Sequence, residues 1–118
     1  MLMTFGKTRM LLTAGFGLAA WMATALPAMA QDAKRGQEVY AAQKCQICHS
    51  IAGQGSKTSP LDGVGKKLTA DEIRQWIINP TEMTAKTKST KKPPMPARYA
   101  KLPQADIDAL VAYMQSLK

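Results

Sequence analysis

Scarcity shapes the reading of this chain: among 118 residues there are one histidine, two cysteines and eight acidic side chains. A zinc site built on one Cys-x-x-Cys and a single His lacks ligands unless exposed carboxylates are recruited. The mixed strand-and-helix pattern that a thioredoxin-like redox centre requires is missing. No segment alternates apolar and polar residues long enough to suggest a sheet. Aromatics interleaved with arginine, the signature of base stacking, are also lacking, and the length leaves room for one domain at most.

The first thirty residues have the layout of an export signal. Lys7 and Arg9 precede an apolar stretch from Met10 to Ala25, followed by Pro27 and the small-x-small triplet Ala28-Met29-Ala30. Thr13, Gly15 and Gly17 interrupt that stretch, which falls short of the roughly 20 apolar residues of a membrane span. Cleavage after Ala30 is expected, giving a signal at 1–30, a single domain at 31–118 and no stable membrane insertion afterwards. Without Lys7 and Arg9, 14 of the 16 basic residues remain against 8 acidic ones. Such a surface favours acidic partners, and export removes nucleic acid from the candidates.

Both cysteines and the only histidine fall in one pentapeptide, Cys45-Gln46-Ile47-Cys48-His49. This is the haem c attachment pattern. Two thiols three positions apart can each add across a haem vinyl group, and the adjoining imidazole then reaches the iron. A simple disulfide is the competing reading in an exported protein. One covalent haem c would also supply the apolar interior that so short a domain cannot assemble alone.

Around this motif the chain reads as helices. Asp32 is placed to cap a helix running to about Lys44, with Gly36 and Tyr40 on one face. Thr69-Ala70-Asp71-Glu72 is a capping box ahead of the apolar face of Ile73, Trp76 and Ile77, and Pro80 is expected to end that segment. Ile107, Leu110, Val111, Met114 and Leu117 form the stripe of a closing helix, which should cross the first helix at Gly36. Gly53, Gly55, Pro60, Gly63 and Gly65 mark a long loop. The expected fold is all-α: about three main helices, with long loops wrapped around the haem.

With no second histidine, the other axial ligand should be a methionine. Met114 belongs to the apolar stripe and reads as core. Met95 sits in Lys92-Pro93-Pro94-Met95-Pro96, where flanking prolines fix the backbone, and is favoured over Met83, which reads as a packing or surface residue.

These residues give the chain a resemblance to the class I c-type cytochromes. The likeness spans Asp32 to Lys118 and includes the Gly36 and Tyr40 helix, Cys45-x-x-Cys48-His49, the Asn79-Pro80 turn, Met95-Pro96 and the closing helix with Ala112-Tyr113. It implies that Pro60 offers its backbone carbonyl to the proximal imidazole. It also implies an aromatic beside the haem propionates, a role open to Trp76 alongside that of a plain core residue. Leu102-Pro103 departs from the family by starting the last helix with proline rather than a Ser or Thr cap.

The function expected from His49 and Met95 ligation is single-electron carriage in the periplasm by a monomer, without catalysis, between redox proteins with acidic docking surfaces. Lys86, Lys88, Lys91 and Lys92 are a candidate docking patch, and equally an ordinary solvated loop. Two other classes stay open. One is a haem sensor or small peroxidase with an open distal site. The other is the electron-accepting subunit of a larger dehydrogenase.

Overall fold

A computed structural model describes residues 28–118, with side chains from Asp32 onward. The expected export signal lies outside the described residues except for its last three, whose backbone opens the first helix.

That helix, α1 (Ala28–Ala42), starts four residues before Asp32, so Asp32 is not its cap. Ala28, Met29 and Ala30 are strong helix formers and carry the helix past that point. It ends at Ala42 because Lys44 takes a left-handed backbone, φ 56°, that an α-helix cannot include. The closing helix α5 (Gln104–Ser116) follows Pro103 with no side-chain cap, as its sequence implies. The two cross where expected. A β-carbon at buried Gly36 would lie 2.0 Å from the Ala109 carbonyl oxygen, so only glycine lets the backbones touch. Arg35 reaches Asp106 at 3.1 Å beside the crossing.

Thr69 caps α3 (Ala70–Ile78): its hydroxyl accepts from the Glu72 backbone at 3.2 Å, and the Glu72 carboxylate accepts from the Thr69 N–H at 2.8 Å. The Arg74 side chain ties this helix to Asp108 of α5 at 2.6 Å. Val39, Ile73, Ile77, Tyr99, Ile107, Leu110, Val111 and Met114 form the buried cluster between these helices.

Pro80 does not end the helical region. It occupies the first turn of a further helix, α4 (Pro80–Thr87), where its missing N–H is no loss. Asn79 serves as the shared joint: its N–H donates to Gln75 and its carbonyl accepts from Met83. Met83 is thereby buried as a packing residue.

The loop after the cysteines also holds regular structure that the sequence does not announce. Following a 3₁₀ turn at Cys45–Ile47 come β1 (His49–Ile51), β2 (Gln54–Gly55), β3 (Ser59–Pro60) and the one-turn helix α2 (Val64–Lys67). The strands form a sheet in the order β2-β1-β3, antiparallel then parallel. Elements of two or three residues are too short to show a period, so only the turn glycines are visible in sequence. The described residues are therefore helical in their core, with a small sheet at one side.

Gly36→Ala tests the crossing. In an exposed helix this change gains about 1 kcal/mol of helix propensity. At Gly36 a net loss of roughly 1–3 kcal/mol is expected from overpacking, read from the urea midpoint.

Candidate cofactor site

The helices and the small sheet enclose a cavity of about 480 Å³ with a mainly apolar lining, within the ~300–1,000 Å³ range of small-molecule sites. Cys45, Cys48 and His49 line it from the 3₁₀ turn and β1, Trp76 from α3, Met114 from α5, and Met95 from the proline-rich segment.

The His49 ring nitrogen Nδ1 lies 2.9 Å from the Ser59 carbonyl oxygen. A carbonyl can only accept, so Nδ1 carries the proton and Nε2 keeps its lone pair free for a metal. Burial holds this imidazole below its ordinary pKa, and the bond to Ser59 only partly offsets that. The acceptor was expected at Pro60 and is one residue earlier. The parallel register pairs His49 with Ser59 and Ser50 with Pro60, so the imidazole meets the Ser59 carbonyl, while Pro60 lines the cavity. Gly55 completes this corner: its φ is +104°, and a β-carbon there would lie 2.2 Å from the His49 carbonyl oxygen.

The two thiols are half-buried. Burial pushes Cys45 up to about 11, so it is a neutral thiol at pH 7. Nucleophilic redox cysteines have lowered values, and this one runs the other way. Tyr40 also lines the cavity, with its ring edge-on to Tyr113 at 5.9 Å. Its hydroxyl is buried without a partner, and burial pushes the phenol up to about 12, leaving it a donor.

Among the methionines, Met95 and Met114 line the cavity and Met83 does not. Met114 is also part of the buried cluster, as its place on the helical stripe implies. Trp76 is half-buried, outside that cluster, and lines the cavity. Sequence reasoning passed over Tyr99, which is buried, lines the same cavity and accepts a hydrogen bond from Arg98 at 3.0 Å. Its signal was an aromatic four residues after Met95. Of the four clustered lysines, Lys91 and Lys92 line the cavity, and the Lys91 ammonium donates to the Thr58 carbonyl at 2.8 Å.

These features fit a haem c group. The cavity offers apolar walls for a flat ring, two thiols beside an imidazole with a free Nε2, a thioether, and an unpartnered phenol for a polar edge.

Comparisons with known proteins agree. The family model described as Cytochrome c matches residues 33–118. Cytochrome c oxidase subunit 2 of Alkalihalophilus pseudofirmus is 25% identical over 95 residues, covering 73% of this chain. The chain spans about a quarter of that relative, 26% of its length. No solved structure matches.

The corner at Gly55 can be tested against its neighbour. Gly53 also has a positive φ, +77°, but nothing lies within 4 Å of an added β-carbon. Gly53→Ala should therefore cost only the left-handed strain of about 1–2 kcal/mol. Gly55→Ala should cost at least 1 kcal/mol more, since it also displaces the His49 carbonyl. Thermal midpoints of the two variants measure the difference.

Proposed function

This chain belongs to the cytochrome c family, whose members perform haem-based electron transfer, and on that premise we propose that it is a periplasmic single-electron carrier with one covalent haem c. The observation that carries the proposal is the convergence of Cys45, Cys48, His49 and Met95 on one apolar cavity. The haem, when bound, supplies a reversible one-electron couple.

The rest falls to the chain's own groups. Cys45 and Cys48 would form the two thioether links. The Ser59 backbone carbonyl holds the Nδ1 proton of His49, which leaves Nε2, in a fixed orientation, as the atom that would bind the iron. The Met95 thioether would hold the same iron, and a haem held by both residues would keep no coordination site for a substrate. A thioether and a buried ring both favour the reduced state, so the potential should be positive. Trp76 and the Tyr40 hydroxyl are the candidate partners of the haem carboxylates.

Export is supported by the layout of residues 1–30 and by a family match that begins only at residue 33. The basic surplus favours redox partners with acidic surfaces. With Lys91 bonded to Thr58 and Lys92 lining the cavity, the part of the lysine cluster that lies outside the cavity lining is Lys86 and Lys88, both exposed. A second reading rests on the relative named as an oxidase subunit: the chain would then work bound to a larger redox enzyme. Co-purification with such an enzyme would favour it over a free carrier.

Optical spectra of the exported protein test the ligand assignment. A low-spin spectrum is expected, with the methionine-to-ferric-iron band, unaltered by carbon monoxide. Met95→Ala should lose that band and Met83→Ala should keep it. A high-spin spectrum that shifts with carbon monoxide would replace the carrier by a sensor or peroxidase.

Docking is tested by the double change Lys86→Glu and Lys88→Glu. Electron transfer to an acidic partner should slow at low salt. The gap should close as salt rises, because screening shortens from about 10 Å at 0.1 M to about 3 Å at 1 M. Equal rates at low salt would remove these lysines from the docking surface.

A further inference from the structure

The segment that carries Met95 is attached to the molecule in an unusual way. Residues 90–95 have no regular structure, and Pro93, Pro94 and Pro96 have no N–H to donate. Among the described residues, no backbone–backbone hydrogen bond ties residues 90–95 to another part of the chain. The Lys91 backbone N–H only turns back to the Ser89 hydroxyl at 3.4 Å. The prolines stiffen the segment but do not fasten it.

One side-chain hydrogen bond does. The Lys91 ammonium donates to the Thr58 carbonyl oxygen at 2.8 Å, a bond between residues 33 positions apart. Thr58 immediately precedes Ser59, whose carbonyl accepts the His49 proton at 2.9 Å. Two successive carbonyls of one short backbone stretch thus hold the imidazole and the methionine segment. Lys92 also lines the cavity, but none of the described hydrogen bonds is made by its side chain.

We propose that Lys91 is a positioning residue that keeps the Met95 segment closed over the cavity and thereby sets how readily Met95 leaves the iron. This rests on Met95 being the distal ligand. Departure of the thioether requires residues 90–95 to swing outward, and the Lys91 bond to Thr58 must break with it. The packing of Met95 against the buried cluster opposes the same motion, so the lysine modulates the rate and is not its sole determinant.

The test uses the haem-loaded protein in its ferric form with saturating imidazole as the competing ligand. The rate at which the methionine-to-iron band disappears then reports the release of Met95. Lys91→Met removes the donor while keeping an unbranched side chain, and should raise that rate about two- to tenfold, the span one hydrogen bond supports. Lys91→Arg, which retains a donor, should fall between that variant and the parent. Lys57→Met removes the same charge from an exposed side chain next to Thr58, outside the cavity lining, without losing the bond, and should match the parent.

A parental rate in Lys91→Met would overturn the proposal. So would an equal acceleration in Lys57→Met, because the effect would then belong to local charge. A parent protein with no methionine-to-iron band fails differently: it removes the distal ligand assignment itself, and this proposal with it.

Discussion

The core of this domain is one wall of its cavity. Ile73, Ile77, Tyr99, Leu110 and Met114 belong both to the buried cluster and to the cavity lining. Their inner surfaces face one another, and their outer surfaces face a space of about 480 Å³. Close packing is what gives a buried side chain most of its dispersion energy, so a wall without contents gains only part of what it would gain when backed. A flat apolar group bonded at Cys45 and Cys48 would complete the same contacts from the other side. Holding a cofactor and having a packed interior are one requirement here.

The second feature that organises the site is polar. A short stretch of backbone, Thr58-Ser59, carries the carbonyls that receive Lys91 and His49. That stretch is itself held by pairing with β1, on the far side of which Gly55 allows β2 to approach. The imidazole orientation therefore depends on three strand fragments that add no residue to the buried cluster and only Ile51 to its edge. Their value lies in direction: each fixes where a lone pair or an N–H points.

What was legible in the sequence was whatever a local rule dictates. The Thr69 to Glu72 box, the stripe from Ile107 to Met114 and the small residue at Gly36 each imply their structure through spacing alone, and the structure has all three. The five-residue motif likewise announces its chemistry without help from the fold. The misreadings concern features settled by partners distant in sequence. Pro80 is compatible both with a stop and with a first helical turn, and only the packing of α4 decides. The acceptor for His49 moved from Pro60 to Ser59 because a parallel register is a property of two strands together. That Trp76 lines the cavity depends likewise on how α3 packs, which its own segment does not state.

The crossing at Gly36 also has a consequence in time. The contact of Gly36 with Ala109 closes a loop of 73 residues, and Cys45, Cys48, His49 and Met95 all lie inside it. Closing a loop of that size carries a chain-entropy cost that grows only slowly with its length, but it must be met before the contact returns anything. The 3₁₀ turn, its neighbouring strands and the capped middle helix need no such closure. The attachment pentapeptide can therefore take up its local shape while the last helix is still apart, and α1 and α5 then come together around a centre already arranged.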